Sequence, residues 1–340
     1  MMKYFKWSFC VLAVAMVFAF WRGESVEAGL GFKDLAAALV ICGLEVSLSF
    51  DNAVVNAAKL GKMPPVWRRR FLTWGILVAV FGMRFVFPVA IVALFSGISC
   101  AGVLDLALHD PDKYAELLHG AHVGISSFGG VFLLMLFFEF MFERGKDVHW
   151  LGAAERFLQR LGKIPFAPAL FTLCALGATQ AFLGAEAVKV SLISGAAGIA
   201  AHLAIHGFSS KLDSMARAQS AFALKHAGLA AFVYLEIIDA SFSLDGVLGA
   251  FALTKDVVII AIGLAVGAFF VRSMTVMLVE KRTLENLRYL THGAYWAIGS
   301  LAVLMFASAV HEIPEFITGG LGAAFIVSSL VSSLQYSKRG

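Results

Sequence analysis

The chain is a succession of long apolar stretches separated by short polar ones. Apolar runs fall near residues 4–22, 34–58, 71–97, 125–143, 165–188, 190–210, 227–253, 257–279, 293–312 and 316–334. A bilayer core of ~30 Å requires about 20 such residues in helical form, and most of the runs reach that length. Polar and apolar residues do not alternate at every second position, which argues against a membrane β-barrel. Glycines inside the runs suit helices that approach closely in lipid. The pattern therefore predicts an all-α polytopic membrane protein of nine to ten transmembrane helices. The longest polar connections are 98–124 and 144–164, and residues 153–161 have the period of a short amphipathic surface helix. The first run follows Lys3 and Lys6 and precedes Val26-Glu27-Ala28, which would pass as a cleavage site. Its length and the closeness of the next run favour a retained helix.

Composition agrees with this picture. Of 340 residues, 60% are hydrophobic and only 15% charged, against about 25% charged in soluble domains. A soluble fold and polar disorder are both excluded. The net charge of +4 is small enough for basic residues at membrane edges to explain it, with no nucleic-acid partner. Cys10, Cys42, Cys100 and Cys174 are scattered without paired spacing, so neither a disulfide framework nor a CxxC site is expected. Placing the ten runs in order puts 20 of the 27 Lys and Arg on one side and five on the other, with Arg84 and Arg272 left inside spans. By the positive-inside rule the N- and C-termini are cytoplasmic.

The informative charges are the acids inside the spans. Two segments match without gaps. Glu45-Val-Ser47-Leu-Ser49-Phe-Asp51-Asn52 aligns with Asp239-Ala-Ser241-Phe-Ser243-Leu-Asp245-Gly246. Their spans run in opposite directions, and inverted repeats meeting at the bilayer midplane are a mark of secondary transporters. The next span of each half carries one arginine, Arg84 and Arg272. A charge at the bilayer centre costs at least ~2.5–3.5 kcal/mol, so Glu45, Asp51, Asp239 and Asp245 require a cation, protons or arginine partners. Carboxylate, amide, hydroxyl and carbonyl oxygens form a hard donor set suited to Mn²⁺, Mg²⁺ or Ca²⁺. At about 100° per residue, Glu45, Ser49 and Asn52 share one helix face, whereas Asp51 lies beside Ser47 on another. The second copy repeats this, with Ser243 and Gly246 aligned on Asp239. A break near Asp51-Asn52 or Asp245-Gly246 would turn both acids toward one cavity.

At these residues the sequence resembles the TerC family of bacterial integral membrane proteins. The matching stretches are Glu45 to Val55, Glu236 to Val247, and His311-Glu312-Ile-Pro314-Glu315-Phe, within a resemblance over about 34–320. The family is named for tellurite resistance, and several members are implicated in Mn²⁺ export. The resemblance thus implies a divalent-cation exporter of the bacterial inner membrane. Gly246 departs from the serine that many members carry after the aspartate.

The expected organisation is an N-terminal helix or signal anchor at 1–30, a first repeat with its cytoplasmic loop at 31–164, a connecting helix pair at 165–225, and the inverted second repeat with the C-terminal helix at 226–340. Glu45, Asp51, Asn52, Asp239 and Asp245 are the expected cation ligands. Ser47, Ser49, Ser241, Ser243, Arg84, Arg272, Glu236 and Glu139 are supporting residues. Glu139 reads as a proton relay, a further ligand or an interface residue, and Glu236 as an entry ligand. Glu186, near the outer end of its span, reads as a functional acid or as the partner of Lys189. His202 and His206 stand one turn apart, a spacing that presents two imidazoles on one face; helix packing is the simpler reading. The outer loop gathers Asp105, His109, Asp110, Asp112, Glu116, His119 and His122, a solvated acidic loop first and a cation collector second. His311-Glu312-Ile-Pro314-Glu315 is not HExxH, and no P-loop, GxGxxG or Ser/His/Asp set is present, so no enzyme and no prosthetic group is expected. The partners are lipid, a divalent cation, protons as coupling ion, and in one version further copies of the chain. The rival reading is a non-transporting membrane scaffold whose acids and arginines form a structural salt-bridge cluster.

Overall fold

The computed structural model describes residues 2–63, 65–217, 228–229, 232–233, 235–237, 239, 246–247, 249–251, 253–281, 287–311 and 313–339, with backbone alone at 51, 59, 62, 65, 72, 76, 83, 209–217, 315–316 and 338–339. The described residues form helices and turns, with no strand among them. In order these are α1 (Met2–Val26), α2 (Leu30–Leu48), α3 (Phe50–Lys62), α4 (Pro65–Leu77), a π-helical segment (Val78–Val86), α5 (Phe87–Ser96), α6 (Cys100–His109), α7 (Pro111–Met141), α8 (Gly152–Leu161), α9 (Ala167–Gln180), α10 (Ala185–Arg217), α11 (Val257–Glu280), α12 (Leu290–Ser308) and α13 (Glu315–Arg339). Residues 228–253 are helical where they are described.

Seven of these stretches are long and apolar enough to cross a bilayer, and α2 with the start of α3 makes an eighth span bent by 46°. This is a polytopic all-α membrane protein. Apolar side chains cover its outside: Trp7 and Leu94 are each 76% exposed. A surface of that kind is stable against lipid rather than water. The expected span at 165–188 takes another form. A helix of 14 residues, Ala167–Gln180, fills most of it, a turn through Phe182 and Leu183 follows, and the last residues already belong to α10.

Helix α7 is the axis. From Gly124 to Phe137 it is almost wholly apolar and nearly every residue is buried, as a helix surrounded by others must be. It packs against α10 and α12, and through its first half against α5 and α6. On the other side α11 packs against α1, α2, α3 and the π segment, while α12 packs on α13 and α3. The broken pair α2/α3 thus touches both groups, which places the break inside the molecule. The stretch 98–124, expected as an outer loop, is instead α6 and the first turns of α7. Asp110 caps α7 by accepting from the Lys113 N–H at 3.2 Å, and Asp112 pairs with Lys255.

The amphipathic helix expected at 153–161 is α8, but it is docked into the bundle. Glu155 is fully buried. His292 Nδ1 lies 2.8 Å from its Oε2 and Trp296 Nε1 donates to its Oε1 at 3.1 Å, while Lys146 Nζ stands 3.7 Å away. Burial alone would raise this carboxyl. The His292 hydrogen bond and charge, then Trp296 and Lys146, outweigh burial and hold it down at about 2.

Candidate functional site

The break expected near Asp51-Asn52 occurs at Ser49, which carries non-helical torsions (φ −97°, ψ 15°) between α2 and α3. Glu45 lies in the last turn of α2 and Asn52 in the first turn of α3. Across the break the predicted shared face survives: Ser49 Oγ donates to Glu45 Oε1 at 2.9 Å. Asn52 faces the second motif copy, and its Nδ2 donates to Asp239 Oδ1 at 2.6 Å.

Arg84 joins the two copies from a third direction. One guanidinium nitrogen pairs with Glu45 Oε1, and the other stands 3.6 Å from Asp239 Oδ2 and donates to the Ala79 carbonyl at 2.6 Å. All three charged residues are buried. Arg84 belongs to the nine-residue π segment, a geometry that is rare and gathers at functional sites. Its local cause is legible. Pro88 sits in the first turn of α5 and offers no N–H to the Arg84 carbonyl one turn earlier, while its ring pushes that carbonyl away. The backbone widens there, and the Phe87 N–H reaches back to Gly82 O.

Two glycines let the backbone close on Glu45. A Cβ on Gly267 of α11 would fall 2.5 Å from both Cβ and Cγ of Glu45, and one on Gly246 would fall 3.0 Å from its Oε2. At Gly246 the second motif copy comes against the carboxylate of the first, where an added Cβ would make a tight contact.

Beside this cluster lies a cavity of about 30 Å³, on the scale of one water molecule. Its wall includes Asn56, Arg84, Glu236, Asp239 and Arg272. Arg272 lies over the Phe71 ring at 4.3 Å. Among the described residues, Glu236 Oε1, Asp239 Oδ2, Asn56 Oδ1, and Nε and Nη2 of Arg272 make no hydrogen bond, although all are buried. Groups of this kind normally have partners. They offer oxygen acceptors and guanidinium donors to whatever enters. Arg84 also lines a larger apolar cavity with residues of α5, α6 and α11.

The structure thus brings together Glu45, Ser49, Asn52, Asp239, Arg84, Glu236 and Arg272. Ser47 is not among them: it is exposed and donates to the Gly43 carbonyl of its own helix at 2.8 Å, because the break falls after it and leaves its face turned outward. Glu139 is also elsewhere, in the last turn of α7, against His202 and His206 of α10. Asp245, Ser241 and Ser243, and the side chain of Asp51, lie outside the described residues. Asn56 and the glycines 246 and 267 belong to the site without having been expected as contacts. Glu186 is the exposed partner of Lys189, at 2.8 Å.

Fold and site define a polytopic helical membrane protein built around a buried cluster of acids and arginines. The chain belongs to the family described as Protein of unknown function (DUF475), whose model matches residues 50–340 and so takes in the site from Asn52 onward. No curated protein and no solved structure matches the chain.

Proposed function

We propose that this protein is a secondary transporter that exports a divalent cation, with Mn²⁺ as substrate, across the bacterial cytoplasmic membrane, both termini lying in the cytoplasm. One observation carries the reading. Acids from two like motifs far apart in sequence, Glu45 and Asp239, converge on Arg84 beside a cavity lined by further oxygen donors. Carboxylates and amide oxygens are the ligands hard divalent cations take. The resemblance to the TerC family points to manganese among them. Asp51 and Asp245 complete the set by their places in the motifs.

Arg84 supplies the switching element. Its guanidinium holds Glu45 and Asp239 together when no cation is bound. A divalent cation that takes those carboxylates displaces it, and the Ala79 carbonyl on its own helix gives it a partner there. When the cation leaves, the arginine returns, so the acids never stand uncompensated in a medium where a lone charge is costly. Protonation of the acids would loosen their hold on the cation and couples release to protons. Rocking of one repeat against the other exposes the site to each side in turn.

A second reading has its own support. The buried Glu45–Arg84 pair is also what a fixed structural lock would contain, in a scaffold that moves nothing. Equilibrium binding of Mn²⁺ to the purified protein, followed by electron paramagnetic resonance, separates the two. Transport requires a bound ion that Glu45→Gln and Asp239→Asn weaken by about tenfold or more, equivalent to ~1.4 kcal/mol. Identical binding in wild type and variants, or none in either, leaves the lock.

A further inference from the structure

A second cluster stands apart from the acids and arginines. Helix α7 packs closely along α10, and near the end of the apolar part of both helices Glu139 meets two histidines. His206 Nδ1 lies 2.5 Å from Glu139 Oε1, and His202 Nε2 lies 3.4 Å from Glu139 Oε2. One ligand atom from each of the three residues falls within 4.8 Å of the others. The histidines are four residues apart on one helix, so they present their rings on one face, and the two rings are nearly parallel, 11° apart. Phe132 packs edge-on against His202, 5.3 Å between centroids, and helps to hold that ring.

We propose that Glu139, His202 and His206 form a binding site for a borderline divalent transition metal of the Zn²⁺ or Co²⁺ kind, distinct from the midplane site and independent of the transport reading. Two imidazoles and a carboxylate are an N₂O donor set. It suits zinc, cobalt or nickel, whereas an all-oxygen site suits manganese, magnesium or calcium. Three protein ligands leave a coordination position open, as in exchangeable zinc sites rather than closed structural ones. Tetrahedral zinc at ~2.0–2.1 Å from each ligand sets its ligands roughly 3.3 Å apart, within reach of small side-chain movements here. Access is provided for: His202 is only 2% exposed, but the His206 side chain is 54% exposed and Glu139 32%. Electrostatics favour an ion as well. A carboxylate in a span end needs positive charge, and a divalent cation supplies it while both imidazoles stay neutral. Bound there, the metal ties α10 to α7.

The test is a Co²⁺ titration of the detergent-purified protein, with any affinity tag removed, followed by visible absorption. The expected result is ligand-field bands from a low-coordinate nitrogen and oxygen site, saturating at one equivalent and bleached by Zn²⁺. They weaken by about tenfold or more in apparent affinity in His206→Ala, His202→Ala and Glu139→Gln, and persist in Asp239→Asn. His206→Ala is the decisive variant, because its side chain is more than half exposed and can be removed without opening the core; its metal-free helical circular dichroism should match wild type. Wild type without such bands, or bands unchanged in His206→Ala, would overturn the proposal.

Discussion

The side-chain amide of Asn52 donates to the carboxylate of Asp239 at 2.6 Å, tying together residues 187 positions apart. Each belongs to one copy of the repeated acidic motif, so this bond links the two copies directly. Removing the amide leaves a buried carboxylate oxygen short of a partner, which costs about 1–3 kcal/mol. Asn52→Ala should lower the thermal midpoint in detergent accordingly. Asn52→Asp should lower it further, because it sets a second carboxylate against Asp239. A midpoint unchanged in both would mean that the amide contributes nothing.

Close approach of backbone to Glu45 predicts an order of damage between two glycine substitutions. Gly267→Ala drives a methyl into the stem of Glu45, with the Cys42 carbonyl also 3.2 Å away, and overpacking of this sort costs about 1–3 kcal/mol. Gly246→Ser meets only the carboxylate oxygen. Thermal unfolding of the two variants should show Gly267→Ala as the less stable. The reverse order would contradict the packing described around Glu45.

Glu155 makes stability depend on pH. Its carboxyl is held at about 2 against an ordinary 4.5. A depressed carboxyl favours the folded state at pH above the ordinary value and loses that contribution as pH falls from 4.5 toward 2. Glu155→Gln should therefore be less stable than wild type at pH 6, and the gap should shrink through that window. A gap that stays constant with pH would show that the charge of Glu155 is not what anchors α8.

Much of this was legible before any coordinates. Runs of about 20 apolar residues give the spans because lipid leaves the backbone no partner but itself. The shared face of Glu45, Ser49 and Asn52 followed from helical spacing, and the need for a break followed from Asp51 standing off that face. What the sequence could not carry was contact between distant elements. Glu139 gave no sign that His202 and His206 would face it, because their register across two packed helices is set by side-chain shape along the whole contact. Glu155 looked like one charge on a surface helix, and only the position of His292 and Trp296 turns it inward. The π segment had one signal, Pro88, whose effect on the preceding carbonyl could have been read.

Movement of the ion is the direct consequence of a midplane carboxylate site. Purified protein reconstituted in vesicles with a Mn²⁺-sensitive dye should show Mn²⁺ crossing the bilayer under an imposed ion gradient. Initial rates should fall by about tenfold or more in Asp239→Asn, Asp51→Asn and Asp245→Asn, as expected where each carboxylate contributes at least ~1.4 kcal/mol to holding the ion. Wild-type vesicles that move no divalent cation, or variants that move it as fast as wild type, would contradict the claim that these acids carry the substrate.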